Sequence, residues 1–347
     1  MRTDAGGAVR SEARPVAGLS VVVLGGTGFL GRHLAEGFAA RGARVHAVSR
    51  TGGPAALRLD LLAAPPERIA RLLASTGADV VVNAAGRAWR ADERQMAEGN
   101  AELVERLVTA LAAHPGPPVR LVQLGSVHEY GAGAAGAATA EDHEPAPVTP
   151  YGRTKLQGTL AVQRAASGRG VDGVVLRLAN VLGAGVPEGS LFGRVAAELG
   201  EAAHAVARGD EPAELRLPPL RAARDLVDAG DTVAAVLAAA TAPAAAVSGR
   251  VINIGRGEAV PMRDLIHRMV ALSGVDVPVV EDAEGPASRT DVASQCLDIG
   301  RAERLLGWRP RRPLDDSLRD LLAPVLQQGR PPLGVTPHAS DMEEESP

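Results

Sequence analysis

The stretch LSVVVLGGTGFLG at residues 19–31 decides the fold of this 347-residue chain. Leu19–Leu24 is an apolar, β-branched run that predicts a strand buried on both faces. In the turn that follows, Gly25 permits a tight bend, Gly28 lets the backbone approach a pyrophosphate, and Gly31 allows close packing of a helix on the sheet. The residues of this turn predicted to bind a dinucleotide are Gly25, Thr27, Gly28, Phe29, Leu30 and Gly31.

Strands and helices alternate from this turn onward. The segments with helical spacing are Gly31–Arg41, Glu67–Ser75, Glu93–His114 and Pro150–Ala166. The apolar runs between them are Arg44–Ser49, Asp79–Asn83, Arg120–Leu124 and Val171–Leu178. Because such alternation specifies right-handed crossovers between parallel strands, the sequence predicts an α/β fold with a Rossmann-type doubly wound parallel sheet.

The regular alternation stops after Asn180, where Gly- and Pro-rich segments separate the predicted helices Ser190–Gly200, Asp231–Ala240 and Met262–Ser273. We therefore expect a dinucleotide-binding Rossmann domain over 19–180. Residues 181–328 are expected to form mainly a smaller C-terminal substrate-binding lobe, with returns to the main sheet. The polar leader 1–18 and the Pro-rich tail 329–347 are predicted to be disordered.

Charge and cysteine content argue against several classes of function. Thirty-seven basic and 41 acidic residues give a net charge of −4, so no basic field is available for nucleic acid. The single cysteine, Cys296, excludes a disulfide within the chain and a cysteine-built zinc site, and we expect no metal. Because no uncharged run reaches the roughly 18–20 residues of a membrane span, we expect a soluble, cytoplasmic protein without a membrane partner.

The end of the second predicted strand indicates which dinucleotide binds. An acidic residue there would bind both adenosine ribose hydroxyls and repel a 2′-phosphate, whereas Ser49 and Arg50 can bind that phosphate. NADP(H) is therefore favoured, and NAD(H) stays possible because Arg50 could simply face solvent. Asp60 could accept a hydrogen bond from the adenine amino group or could cap a helix.

Tyr151 and Lys155 form the candidate chemical centre, on the predicted helix Pro150–Ala166. Lys155 is the only lysine of the chain and Tyr151 is one of two tyrosines. Residues four apart share a helix face, so the ammonium is expected to lie beside the phenol and lower its pKa. Ser126, just after the strand Arg120–Leu124, is expected to point into the cleft at the carboxyl ends of the parallel strands, where a dinucleotide would bind.

Several motifs resemble the extended branch of the short-chain dehydrogenase/reductases, the NAD-dependent epimerase/dehydratase family of nucleotide-sugar enzymes. The resemblance runs from about Leu19 to Leu322. Besides the glycine turn, Ser126 and the Tyr151/Lys155 pair, it includes Asn83-Ala84-Ala85-Gly86, Asn100, Leu176–Gly183, Arg224-Asp225, Val251–Gly255 and Leu305–Pro310.

The resemblance implies a role for each matching residue. Tyr151 would be the general acid/base in a reaction with hydride transfer, Lys155 would bind the nicotinamide ribose, and Ser126 would hold the reacting sugar oxygen. Asn180 and Arg224 would bind the diphosphate of a nucleotide sugar, although Arg224 could instead pair with Asp225 or Asp228. The further residues implied to bind the cofactor are Asn83, Ala84, Ala85 and Asn100.

The residues after Ser126 indicate which reaction of the family the protein catalyses, and they argue against a dehydratase. Nucleotide-sugar dehydratases of this family carry an Asp-Glu pair there, and valine in Val127-His128 cannot transfer a proton. His128 could act as an acid or base, or could be a polar loop residue near the substrate. Similarity to deoxysugar-pathway enzymes favours an NADPH-dependent 4-ketoreductase acting on a nucleotide-linked 4-keto-6-deoxyhexose.

Two alternatives remain open. One is a 4-epimerase that retains tightly bound NAD, and the other is a non-catalytic dinucleotide sensor. The family also implies a homodimer through the helices Glu93–His114 and Pro150–Ala166. Met96, Leu103 and Leu107 could support that contact or could pack internally.

Overall fold

A computed structural model describes residues 14–53, 56–88, 91–133, 136–282 and 292–327. Residues 1–13 of the expected leader and the whole expected tail, 329–347, lie outside these ranges. Residues 14–18 lie inside them and contact the folded chain. The amide of Arg14 donates to the carbonyl of Thr241 at 3.0 Å, and that of Gly18 donates to the carbonyl of Gly42 at 2.9 Å.

Within the described ranges the chain forms thirteen strands and eleven α-helices. The strands are β1 (Ser20–Leu24), β2 (Arg44–Ser49), β3 (Ala56–Arg58), β4 (Val80–Asn83), β5 (Arg120–Ser126), β6 (Gly173–Leu178), β7 (Asn180–Leu182), β8 (Leu215–Leu217), β9 (Ala223–Asp228), β10 (Val251–Ile254), β11 (Ala259–Pro261), β12 (Val279–Glu281) and β13 (Ser294–Gln295). The helices are α1 (Phe29–Ala39), α2 (Pro66–Thr76), α3 (Glu93–Ala97), α4 (Leu103–Ala112), α5 (Pro150–Gly168), α6 (Leu191–Ala207), α7 (Ala229–Thr241), α8 (Ala244–Val247), α9 (Met262–Ser273), α10 (Gly300–Leu306) and α11 (Leu314–Gln327).

The central sheet confirms the predicted doubly wound fold. Its strand order is β10-β6-β5-β4-β1-β2-β3, and every neighbouring pair is parallel. The runs Val21–Val23 and Val80–Val82 are fully buried, because helices cover both faces of the sheet. The strand order reverses between β1 and β4, and such a switch point opens a crevice at the carboxyl ends of the strands.

A second, smaller layer follows the central sheet in sequence. β9 pairs with β7, β11 and β13, and β8 pairs with β12. Helices α6, α9 and α11 enclose a separate apolar core with these strands. β10 comes after β9 in the chain but joins the edge of the central sheet, next to β6. The chain therefore leaves the central sheet after β6, forms the smaller layer, and returns through β10 to the edge of the central sheet.

The segment predicted as one helix over Glu93–His114 is helical from Glu93 to Ala112, but it is not a regular α-helix throughout. A π-helical turn at Glu98–Glu102 separates α3 from α4, and α4 ends at Ala112. The wider turn directs the Asn100 side-chain amide inward. Its Oδ1 accepts from the amide of Arg87 at 2.8 Å, and its Nδ2 donates to the carbonyl of Arg87 at 2.8 Å. In this turn the Leu103 amide donates to the carbonyl of Glu98, five residues earlier, in place of the regular bond to the residue four earlier.

Arg120, at the start of β5, connects the sheet to the end of α7. Its side chain is 2% exposed, and its Nε donates to the Asp172 carboxylate at 2.7 Å. Its Nη1 donates to the carbonyls of Ala239 and Ala242 at 2.7 and 3.1 Å. These two carbonyls lie at the α7 C-terminus, where the helix itself offers no donors.

We expect Arg120→Met to lower the free energy of unfolding by about 3 kcal/mol, because it leaves those carbonyls without their donor and Asp172 without its cation. Urea denaturation measures the difference. The control is Arg164→Met: Arg164 pairs with Glu105 at 2.6 Å but is 64% exposed, so its loss should cost less than about 1 kcal/mol. Equal losses in the two variants would contradict this account of Arg120.

Candidate active site

The glycine turn after β1 has the geometry of a phosphate-binding turn. Gly25 has φ +75°, and a Cβ on it would lie 2.9 Å from the backbone of Ala85. A Cβ on Gly31 would lie 2.0 Å from the Gly25 carbonyl oxygen. Gly28 precedes α1 and provides no side-chain cap, so the first amides of α1 have no side-chain acceptor from that residue. A pyrophosphate fits this open end of the helix.

Of the other residues of the turn, some are exposed and some pack against the core. Thr27 is exposed, and its carbonyl accepts a hydrogen bond from Arg32 at 2.9 Å. The Phe29 ring meets His33 edge-on, with 5.5 Å between centroids. Leu30 packs against the core beneath the sheet. Sequence reasoning missed Gly26, where a Cβ would lie 2.6 Å from the Cβ of Ala47 on β2.

The carboxyl ends of β2 and β3 bring two arginines together. Arg50 is exposed directly after β2, while the Ser49 hydroxyl is held by the backbone of Gly52 at 3.0 and 3.3 Å. Arg58, also exposed, lies opposite Ser49 in the parallel register. The sequence reasoning did not include Arg58, since only strand pairing places it there. Asp60 is exposed and accepts from the amide of Leu62 at 3.0 Å, so it caps a turn.

The residues expected to bind the cofactor after β4 also hold their own loop. The Asn83 amide donates to Gln123 on β5 at 2.8 Å and accepts from the amide of Ala85 at 3.2 Å. Ala84 donates its amide to the carbonyl of Leu24 at the end of β1. Asn100 donates to Thr154 on α5 at 3.1 Å, in addition to its bonds with Arg87. Asn83 and Asn100 therefore hold the loop after β4 against β5 and α5.

Ser126, Tyr151 and Lys155 meet at the carboxyl end of β5. The Tyr151 hydroxyl is hydrogen-bonded to the Ser126 side chain. Lys155, 8% exposed, donates from Nζ to the carbonyl of Leu124 at 2.5 Å. Thr149 caps α5 by accepting from the amide of Gly152 at 3.0 Å, which fixes the start of the helix that carries both side chains. The structure thus brings together the three residues that sequence reasoning selected.

The pKa of Tyr151 is shifted upward overall, which is opposite to the lowering expected from Lys155. Burial raises the pKa of Tyr151 to about 12, against the lowering effect of its hydrogen bond with Ser126. Burial lowers the pKa of Lys155, and the negative charge of Glu129 opposes that lowering. A side chain removed from water disfavours its charged form, so burial raises the pKa of the phenol and lowers that of the ammonium.

His128 and Arg224 lie against this centre from two different elements. The His128 ring meets that of Tyr151 edge-on, with 5.6 Å between centroids. Burial, and then the charge of Arg224, lower the pKa of His128 to about 4, so the ring is neutral at pH 7. Arg224 on β9 is 7% exposed, and burial lowers the pKa of its guanidinium. β9 therefore delivers a cation to the active site from the smaller layer.

Asn180 and the two aspartates near Arg224 have structural bonds of their own. Asn180 donates to the carbonyl of Asp225 at 3.0 Å. The Asp225 carboxylate accepts backbone amides from Arg256, Gly257 and Leu297. Asp228 caps α7 and lies 3.5 Å from Arg312. Burial raises the pKa of Asp225 to about 6 despite these bonds.

Two buried residues of this region were given no role by the sequence reasoning. Glu129 follows Ser126 by three residues and is fully buried, and Arg177 on β6 is 3% exposed. Their side chains form an ion pair at 2.7 Å. The only sequence signal for Glu129 was its closeness to Ser126. That signal is weak, because a charged residue in a loop is far more often exposed than buried.

Three findings from known proteins agree with this geometry. The model of the NAD-dependent epimerase/dehydratase family matches residues 21–255. The dTDP-6-deoxy-L-talose 4-dehydrogenase (NAD(P)(+)) of Kitasatospora kifunensis is 43% identical over 306 residues, covering 87% of this chain and 94% of that relative. The UDP-glucose 4-epimerase of Azospirillum brasilense is 24% identical over 334 residues, covering 87% of this chain and 91% of that enzyme.

A solved structure shows the same fold. RMD from Pseudomonas aeruginosa, complexed with NADPH, has a TM-score of 0.75 and 23% identity, covering 89% of this chain and 98% of that one. In addition, none of the described helices is long and apolar enough to cross a membrane. A family match that spans more than half of the chain, with a relative of 43% identity, shows that the chain belongs to the NAD-dependent epimerase/dehydratase family, as an enzyme of the extended short-chain dehydrogenase/reductase type.

Proposed function

We propose that the protein uses NADPH to reduce the 4-keto group of a dTDP-linked 4-keto-6-deoxyhexose. The observation that carries the proposal is the hydrogen bond between the Tyr151 and Ser126 hydroxyls at the crevice of the sheet. The 43% identical relative is named as a 4-dehydrogenase of a dTDP-6-deoxyhexose. A 4-dehydrogenase and a 4-ketoreductase catalyse the two directions of one reaction, so its name supports this substrate class.

In this mechanism the protein orients the sugar and moves one proton. The chemistry that a bound nicotinamide cofactor supplies is a hydride for the carbonyl carbon. Ser126 holds the carbonyl oxygen by a hydrogen bond, and Tyr151 gives that oxygen its proton. The Tyr151 phenolate then regains a proton before the next turnover. Lys155 binds the ribose of the cofactor, and Arg224 binds the diphosphate of the substrate together with Asn180.

A neutral His128 next to Tyr151 fits a substrate-binding role better than a role as proton donor. Because burial lowers the pKa of His128 to about 4, the ring carries no proton to give as a cation near pH 7. Its edge-on contact with Tyr151 places it beside the reacting group. We propose that it contacts the sugar and limits the space around C4.

The preference for NADPH rests on the arginines at the ends of β2 and β3. Arg50 and Arg58 are both exposed at the edge of the crevice, one after and one opposite Ser49. Two guanidinium groups and a hydroxyl suit a 2′-phosphate, and no acidic side chain stands at the end of β2 to repel it.

A 4-epimerase with tightly bound NAD is the second candidate, favoured by the 24% identical UDP-glucose 4-epimerase. An epimerase must oxidise and re-reduce C4 without releasing its cofactor. Stoichiometric NAD in the purified protein, with interconversion of the sugars and no net NADPH oxidation, would support this candidate and overturn the ketoreductase.

We also propose a homodimer, formed through the outer faces of α4 and α5. Met96, Leu103 and Leu107 do not form that face, because they are 7%, 1% and 0% exposed within one chain. Leu160 on α5 stays 42% exposed and is available to a second copy.

We expect the protein to oxidise NADPH with one or more dTDP-4-keto-6-deoxyhexoses, and Tyr151→Phe to reduce kcat at least about 100-fold by removing the proton donor. Absorbance at 340 nm follows the reaction. Tyr130→Phe is the matched control, since it alters the only other tyrosine and removes its hydrogen bonds with Asn253 and Arg177. It should keep kcat within about threefold. Full activity of Tyr151→Phe would refute the assignment of the proton donor.

We expect kcat/KM for reduction to be flat between about pH 6 and pH 9. A general acid works in its protonated form, and with the pKa of Tyr151 raised to about 12 that form persists throughout this range. His128 stays neutral there, because its pKa is lowered to about 4. A pH-rate profile measures this directly. An ionisation within the range that disappears in His128→Gln would contradict the assignment of His128 as a neutral contact.

We expect Arg50→Asp to raise the KM for NADPH at least about tenfold and to improve the use of NADH, because a carboxylate repels the 2′-phosphate. Steady-state kinetics with both cofactors measure the switch. Arg44→Asp is the control, since Arg44 is an exposed arginine at the opposite end of β2. An equal effect of both variants would point to overall charge and not to a 2′-phosphate site.

A further inference from the structure

A buried carboxylate lies directly behind the Ser126 turn. Glu129 ends a short 3₁₀ turn, Val127–Glu129, that follows β5, and its side chain is 0% exposed. One oxygen, Oε1, accepts the backbone amide of Ser126 at 2.8 Å. The other, Oε2, accepts the hydroxyl of Thr159 at 2.8 Å and the Nε of Arg177 at 2.7 Å. Both oxygens thus bind protein donors, which leaves Glu129 no direct part in the reaction.

These three bonds join three elements that must keep a common register. Ser126 ends β5, Arg177 lies on β6, and Thr159 lies on α5 one helical turn after Lys155. Because α5 also carries Tyr151, the carboxylate links the serine to the helix that bears its two partners. The fit is tight: a Cβ on Gly125 would lie 2.7 Å from Oε1 of Glu129 and 3.2 Å from Cγ of Arg177.

The charges around Glu129 come from every element packed against it. Arg177 faces it from β6, and Lys155 and Tyr151 face it from α5. The Arg177 guanidinium also lies over the Tyr130 ring, 4.4 Å from its centroid. Glu129 raises the pKa of Lys155 against the larger, lowering effect of burial. One buried anion therefore faces two buried cations.

We propose that Glu129 is a positioning residue of this active site. It anchors Ser126 to α5, the helix that carries Tyr151 and Lys155, and it serves as the counter-ion of Lys155. The effect of Glu129 on catalysis rests on the proposed function. The anchoring does not, since it follows from hydrogen bonds within the chain. The counter-ion role follows from the position of Lys155, whose Nζ binds the Leu124 carbonyl on β5, two residues before the Ser126 amide that Glu129 accepts. A carboxylate is needed for both roles, because a neutral amide cannot accept from all three donors and carries no charge.

The presence of one lysine in the chain makes the counter-ion role directly measurable. Protein labelled with ¹³C at the lysine Cε gives a single lysine resonance, that of Lys155, whose chemical shift reports its protonation. In the wild-type protein we expect a protonated Lys155 at pH 7. We expect Glu129→Gln to move the pKa of Lys155 downward, because it removes the charge that opposes burial. A wild-type Lys155 that is uncharged at pH 7, or an unchanged titration in Glu129→Gln, overturns the counter-ion role.

Asp172→Asn is the matched control for that measurement. Asp172 is the carboxylate partner of another buried arginine, Arg120, at the opposite end of β5. The variant should destabilise the protein by a similar mechanism and leave the Lys155 titration unchanged. An equal shift of the Lys155 titration in both variants would mean that the effect comes from general loosening, and would overturn the proposal.

The anchoring role is tested with substrate, by separating kcat from KM. Glu129→Gln should lower kcat at least about tenfold through misplacement of Ser126, with little change in the KM for NADPH. Thr159→Val, which removes one donor to the carboxylate while keeping the side-chain shape, should lower kcat in the same direction and decides the question if Glu129→Gln does not fold. Wild-type kcat in Thr159→Val overturns the anchoring role. If the wild-type protein turns over no deoxyhexose, the proposed function fails, while the lysine titration still decides the counter-ion role.

Discussion

Gly31 has no room for a side chain, because its Cα packs against the carbonyl of Gly25, and the remaining architecture depends on this contact. The contact brings the first turn of α1 to the carboxyl edge of β1, at the point where the strand order of the central sheet reverses. The amides of the helix, the ends of β2 and β3, and the end of β5 then surround one crevice. A larger residue at position 31 would push α1 away from the sheet and open the site from below.

Buried charge is the second constraint on this molecule, and it acts at both ends of β5. At one end Arg120 satisfies the carbonyls that end α7, and at the other Glu129 satisfies the amide of Ser126. The same low-dielectric surroundings that strengthen these bonds also raise the pKa of Tyr151 and lower that of Lys155. The active site therefore keeps its phenol protonated, which suits a proton donor for ketone reduction.

Local sequence patterns predicted the features that depend on a few neighbouring residues. The alternation of strands and helices predicted the doubly wound sheet, and the spacing of four predicted that Tyr151 and Lys155 share one helix face. The same reasoning was wrong for the pKa of Tyr151, because burial depends on everything that packs around the phenol. It also missed the π-helical turn within the helix over 93–114, because the bonds of Asn100 with Arg87 join the helix to the loop before it.

The sequence by itself determined the family and the sheet, and it selected Ser126, Tyr151 and Lys155 as candidates, because glycine turns and helical spacing are local properties. Only the tertiary structure placed Arg58 beside Ser49, brought Arg224 to His128, and enclosed Glu129 between β5, α5 and β6. Each of these contacts joins segments distant in the chain, through strand register or through the packing of the smaller layer on the sheet. The electrostatics of the site follow from that packing, since the cost of a charge depends on how far the fold removes it from water.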